Sequence, residues 1–188
     1  MPRPLRSIEP GGLYHVTTNG LDETSIFRRD RDRRRFLALL APLPARLGWN
    51  ILVVCLMDTH VHMLVQVADA NLSVGMERVK GDYARAFNRW YGRRGHLFRE
   101  RFKSKPVLTE AHLFQTIRYI AFNPVEVGLA DRPEDYVWCS YGATIGVRPA
   151  WPWIANTALL AQFAQTREHA IARLRAFVDE GAPRRHAA

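Results

Sequence analysis

Two histidines separated by a single residue, His60 and His62, lie in the stretch Ile51 to Val67 (ILVVCLMDTHVHMLVQV) and imply chemistry most directly. β-Branched and aliphatic residues fill both arms of that stretch. Met57-Asp58-Thr59 interrupts it with turn-forming residues, so it reads as two strands and a tight connection. Side chains alternate along a strand, which puts His60, His62, Leu64 and Gln66 on one face and Val61, Met63, Val65 and Val67 on the other. A single strand histidine is most often a satisfied structural group. A pair on one face presents two neutral imidazole nitrogens to a divalent cation, and such a site needs at least one further ligand from elsewhere.

The segment EAHLFQTIRYIAFNPVEVG, Glu110 to Gly128, offers one. Thr109 can cap a helix there, with Glu110 favourable in its first turn. Leu113, Ile117 and Ile120 are spaced to face a core, and Pro124 and Gly128 predict the helix end. Tyr119 and Asn123 then stand one turn apart on another face. The Asn123 side-chain oxygen is a candidate third ligand, which would bring the Tyr119 hydroxyl near the metal.

The elements that must position these groups follow from periodicity. Leu13 to Thr18 alternates as a strand into the turn signal Asn19-Gly20, and its His15 is at best a supporting residue for the histidine pair. Phe36, Leu39, Leu40, Leu43 and Leu47 have amphipathic helical spacing, which Pro42 and Pro44 should kink or split. At the start of that helix, Arg28, Arg29, Arg31, Arg33, Arg34 and Arg35 read equally well as a solvated face or as a phosphate-contacting patch. Asn71 to Tyr91 predicts a second helix with Val74, Val79, Tyr83, Phe87 and Tyr91 along one stripe. Phe102 to Leu108 predicts a further strand, and Trp151 onward, with Ile171, Leu174 and Phe177, one or two covering helices and a frayed Arg184-Arg185-His186 end.

Composition narrows the partner. The 188 residues fit one domain, read as 1–150 with a helical extension of the same domain over 151–188. The net charge of +9 and a pI of about 10.2, dominated by arginine, point first to nucleic acid. The segment RAFNRWYGRRGHLFRERFKSK interleaves Arg85, Arg89, Arg93, Arg94, Arg99, Arg101, Lys103 and Lys105 with Phe87, Trp90, Tyr91, Phe98 and Phe102. Cations neutralise phosphates and aromatic faces stack on unpaired bases, so this mixture suits a single strand or a hairpin end better than a regular duplex. Cys55 and Cys139 lack metal-type spacing and read as buried free thiols. No apolar run reaches the roughly 18 residues of a membrane span, and no secretory signal is evident, so a cytoplasmic protein is expected.

HVHMLV, FNRWYGRRGHLFRERFKS, YIAFNPVEVGL and the later WCSY, in that order, resemble the single-tyrosine HUH transposases of IS200-like type, most closely the REP-associated tyrosine transposases. The resemblance runs from about Gly11 to Ser140. It implies an α+β, ferredoxin-like or RRM-like antiparallel sheet with the HUH motif on a central strand and packed helices, to which the C-terminal helices read from the spacing after Trp151 are extra. It further implies Tyr119 as nucleophile and His60, His62 and Asn123 as ligands of Mg²⁺ or Mn²⁺; positive charge from the metal or from the neighbouring Arg118, also expected at DNA, would help the phenol ionise. The implied activity is cleavage and rejoining of single-stranded DNA at REP-type hairpins through a 5′-phosphotyrosine, by a monomer or homodimer associated with a bacterial nucleoid. Thr59 departs from the pattern, since many relatives carry Asn before the first histidine. Two other readings fit the residues: an RRM-like binding module without catalysis, and a metal-dependent nuclease in which water attacks.

Overall fold

The computed structural model describes residues 8–181, so the expected frayed Arg184-Arg185-His186 end lies outside the described residues. Four strands, β1 (Leu13–Asn19), β2 (Trp49–Leu56), β3 (His60–Val67) and β4 (Lys103–Pro106), form one antiparallel sheet in the order β2-β3-β1-β4. Helix α1 (Asp30–Leu40) and the short α2 (Leu43–Leu47) connect β1 to β2, and α3 (Leu72–Tyr91) connects β3 to β4. This is the ferredoxin-like arrangement of two split βαβ units, with β3 and β1 in the middle of the sheet. Beyond it lie α4 (Glu110–Glu126), α5 (Tyr141–Thr144), α6 (Asn156–Leu160) and α7 (Arg167–Asp179).

Alternation along the strands feeds two cores, one on each side of the sheet. Tyr14, Val16, Val61, Met63 and Val65 meet Phe36, Leu40, Met76, Val79, Tyr83 and Phe87 of α1 and α3. Leu64, Val53 and Cys55 on the other side meet Leu113, Ile117 and Ile120 of α4 and, farther out, Leu160, Leu174 and Val178. The C-terminal segment also pairs with the sheet directly, through Ala155 N–H donating to the Ile51 carbonyl at 2.9 Å. His60 and His62 project on the α4 side, so the ligand face of β3 looks onto the helix that carries Tyr119.

Several local expectations change in detail. The helix containing the two prolines is split, as its sequence predicts, with Gly48 ending α2 in the left-handed region at φ 65°. Val74 does not belong to the buried stripe of α3: it is 64% exposed, and Leu72 and Met76 take the inward positions. The helix α4 runs through Pro124 to Glu126 and closes in a Schellman arrangement. Gly128 at φ 73° donates to the Val125 carbonyl, and Leu129 N–H donates to that of Pro124. The last strand is shorter than predicted, Lys103–Pro106, with Phe102 and Val107 buried on either side of it. Cys55 and Cys139 are free, buried and paired across an isolated β-bridge.

The arginine cluster is neither a uniformly solvated face nor a single patch. Arg33 is buried and pairs with Asp58 in the turn before His60, while Ile26 N–H donates to the Asp58 carbonyl at 2.8 Å. The loop before α1 thereby pins the β2–β3 turn. Arg28 lies over the Tyr91 ring and Arg31 over Trp90, clamping α1 to the end of α3. Asp32, fully buried, accepts the backbone N–H groups of Arg28 and Arg29 at 2.9 Å and the Tyr91 hydroxyl at 2.7 Å. Its charge at the helix N-terminus offsets the unfavourable cations there.

Candidate active site

The register of the sheet sets Asn19 opposite His60 and Thr17 opposite His62, so the C-terminal half of β1 and the start of β3 form one floor. Across that floor α4 delivers its polar face. His60 Nε2 lies 3.2 Å from Asn123 Oδ1, and the His62 ring meets Tyr119 edge to face at 5.3 Å between centroids. Asn123 is buried at the bottom and Tyr119 stands at the rim, 44% exposed. The fold therefore brings together the four residues that the sequence singles out as ligands and nucleophile.

A cleft of about 520 Å³ opens above them, lined by His15, Thr17, Asn19, His60, His62, Lys103, Lys105, His112, Gln115, Thr116 and Tyr119. His112, Gln115 and Thr116 are members that sequence reasoning missed. They sit seven, four and three residues before Tyr119, so the helical spacing that paired Tyr119 with Asn123 would have found them if extended backwards. His15, held only as a supporting residue, places its Nε2 3.0 Å from His62 Nδ1.

The electrostatics favour neutral imidazoles. Burial lowers the His62 pKa well below the usual histidine value, and the neighbouring His60 and His15 lower it further. Burial also lowers His60, against a hydrogen bond to Asn123 that raises it. His15 is lowered to about 4 by burial, then by the charges of Lys105 and His112. Neutral rings are what a cation requires of its ligands.

Whether the residues fit a divalent ion can be judged from their free atoms. His62 Nε2 is buried with no hydrogen-bond partner, the His60 ring centre lies 4.8 Å from that of His62, and His60 Nε2 is 3.2 Å from Asn123 Oδ1. Among the described residues no cluster of three or more His, Cys, Asp or Glu side chains could hold a metal, and the oxygen next to the histidine pair is the amide of Asn123. Two imidazoles and one amide oxygen make a neutral, mixed N/O set with room for phosphate and water, which suits Mg²⁺ or Mn²⁺.

The basic residues expected at DNA divide into groups. Lys103 and Lys105 of β4 line the cleft itself, Lys103 pairing with Glu100 at 3.1 Å. Arg85, Arg99 and Arg101 line a second groove of about 920 Å³ between α3 and the segment Gly95 to Phe102. Arg99 N–H donates to the Asn19 carbonyl at 3.1 Å, which ties that segment to the end of β1 beside the cleft. Arg89 and Arg94 are exposed at the end of α3, and Arg93 packs over Phe87. Arg118 is placed differently from the expectation. Its guanidinium lies 3.7 Å from the Phe177 ring centre, donates to the Phe177 carbonyl and pairs with Glu180, so it anchors α7 and does not line the cleft. Of the interleaved aromatics, Phe87, Phe98 and Phe102 are core residues, and only Trp90 is markedly exposed.

This sheet and its flanking helices are the fold of a tyrosine transposase. A solved REP-associated tyrosine transposase, bound to a REP hairpin, superposes with a TM-score of 0.65 over 81% of this chain and 89% of its own, at 17% identity. A curated REP-associated tyrosine transposase of Haemophilus influenzae is 22% identical over 147 residues, 72% of this chain and 83% of the relative. The model of the family described as "Transposase IS200 like" matches residues 11–123, more than half of the chain, and the protein belongs to that family. Membership makes it a transposase, a DNA-cleaving class of enzyme. No helix among the described residues is long and apolar enough to cross a membrane.

Proposed function

We propose that the protein cleaves and rejoins single-stranded DNA beside REP-type hairpins, with Tyr119 as the nucleophile and a divalent ion held by His60, His62 and Asn123. The observation that carries this reading is the grouping of the paired imidazoles of His60 and His62, the Asn123 amide oxygen and the exposed Tyr119 phenol on the same floor. When bound, Mg²⁺ or Mn²⁺ supplies Lewis-acid polarisation of a nonbridging phosphate oxygen.

The chain's own residues do the rest. Lys103 and Lys105 hold the DNA backbone in the cleft, and Tyr119 at its rim lies within reach of solvent for loss of the phenolic proton. The Tyr119 Oη to phosphorus bond forms as the bond from phosphorus to the 3′ oxygen breaks. That oxygen leaves as a 3′-hydroxyl once it takes up a proton, and the 5′ phosphate stays on the tyrosine. Attack by another 3′-hydroxyl reverses the exchange and joins the new strands, with no net loss of phosphodiester bonds. The solved relative binds a REP hairpin, which supports a hairpin with unpaired flanks as the substrate. Arg85, Arg99 and Arg101 extend the cationic surface along which those flanks run. Action on DNA supports a location in the cytoplasm with the nucleoid.

End analysis of the cleaved oligonucleotide tests the reading. Transesterification leaves a 3′ end that terminal transferase extends and a 5′ end blocked by protein until protease digestion. A free 5′ phosphate on every product, with none blocked, supports the nuclease in which water attacks. Hairpin binding without cleavage in either metal supports the binding module.

A further inference from the structure

The surroundings of the two His62 nitrogens determine what its ring can do. Its Nδ1 lies 3.0 Å from His15 Nε2, and its Nε2 is buried without a partner. One proton is shared along the first contact, and its position decides the state of the second nitrogen. If His15 donated, the His62 proton would sit on Nε2 as a buried N–H with no acceptor, and that nitrogen would be closed to a cation. If His62 donates from Nδ1, Nε2 is a bare lone pair on a ring that packs edge to face with Tyr119. We propose that His15 is a positioning residue for this site: it accepts the His62 Nδ1 proton and so holds His62 in the tautomer whose Nε2 is free to ligate.

The neighbouring ring shows why such a device is needed. His60 Nδ1 faces Thr59 Oγ1 at 3.0 Å, and a hydroxyl both donates and accepts, so Thr59 does not select a tautomer. With Asn123 Oδ1 3.2 Å away, the His60 proton rests on Nε2 in the metal-free protein and must move to Nδ1, toward Thr59, when the nitrogen ligates. His62 therefore enters the site preset and His60 adapts. Outer partners that orient ligating histidines are usually carboxylates or carbonyls. Here a third imidazole has that place, on β1, one strand over from its target. The inference rests on the proposed metal site, but its first readout needs neither metal nor DNA.

The test is long-range ¹H–¹⁵N NMR of the full chain with ¹⁵N-labelled histidine, chelated free of metal, at a pH where the rings are neutral. His62 is expected with its proton on Nδ1 and His60 with its proton on Nε2. In His15→Phe the acceptor is gone, and His62 shifts toward the Nε2–H tautomer. Mn²⁺ affinity, read by electron paramagnetic resonance, falls roughly 10–100-fold. His15→Gln, which restores an acceptor oxygen, brings back both the tautomer and the affinity. A His62 proton on Nε2 in the unsubstituted protein overturns the proposal, even if the Phe variant does not fold. So does a His62 tautomer unchanged in a folded Phe variant. Failure of the unsubstituted protein to bind Mn²⁺ overturns the metal site instead, and the metal-free spectrum still decides the role of His15.

Discussion

Arg118→Ala separates a cation that holds the fold from one that holds DNA. In the structure this guanidinium donates to the Phe177 carbonyl, lies 3.7 Å from the Phe177 ring centre and pairs with the exposed Glu180. A hydrogen bond from a charged donor contributes about 1.5 kcal/mol or more. Cation–π contact at a side chain only 29% exposed contributes about 1 kcal/mol, and the exposed ion pair little. Loss of about 2–3 kcal/mol follows, which for a chain of this length lowers Tm by roughly 5–10 °C. DNA affinity at low temperature, and the slope of log affinity against log salt, should be unchanged. Lys105→Ala should behave oppositely, with Tm nearly constant and the slope flattened by about 0.7 for a lost single-strand phosphate contact. Differential scanning calorimetry and fluorescence anisotropy over a salt series read both quantities. If Arg118→Ala leaves Tm intact and flattens the salt slope, the placement of Arg118 against α7 is wrong.

Other perturbations probe other parts of the molecule. His62→Ala removes one of the three proposed ligands, so calorimetric Mn²⁺ binding should weaken at least 10–100-fold, and undiminished binding would exclude His62 as a ligand. The pKa values of His15, about 4, and of His60 and His62 all lie below the unfolded histidine value of about 6.5. The unfolded chain therefore binds more protons in the window between those limits, and metal-free stability should hold above about pH 6.5 and fall as the pH drops toward 4. A urea midpoint flat between pH 7 and 5 would contradict the burial of these rings. Gly75→Ala should destabilise the protein by about 1–3 kcal/mol, because the added methyl would overlap the buried Trp49 indole at the seam of α3 and β2. Unchanged thermal stability would mean that this seam is looser than the structure has it.

The site was more legible than its supports. His60 and His62 declared themselves because a strand's period of two puts them on one face, and Tyr119 and Asn123 because a helical turn does the same. Those local rules survive folding: His60, His62 and Tyr119 line one cleft, with Asn123 buried against His60. The role of His15 was hidden because it depends on β1 pairing with β3, a register that no local spacing encodes. Arg118 was misplaced for a similar reason: its neighbour in sequence is the nucleophile, but its neighbour in space is the last helix, 59 residues on. Charge alone could not tell Arg33, buried against the Asp58 turn, from the exposed arginines beside it. Val74 shows the limit of periodicity, since several stripes could be drawn along α3 and only packing against Trp49 and α1 chooses among them.

The decisive measurement is mass spectrometry of the covalent complex formed with a hairpin oligonucleotide in the presence of Mn²⁺. The chain has six tyrosines. Tyr14, Tyr83, Tyr136 and Tyr141 are buried, and Tyr91 hydrogen-bonds to Asp32, whereas Tyr119 stands exposed beside the paired histidines. The nucleotide is predicted on the peptide containing Tyr119, with no adduct and no cleavage from a folded, hairpin-binding Tyr119→Phe protein. An adduct on any other tyrosine, or full cleavage by the Phe variant, would contradict the assignment of the nucleophile.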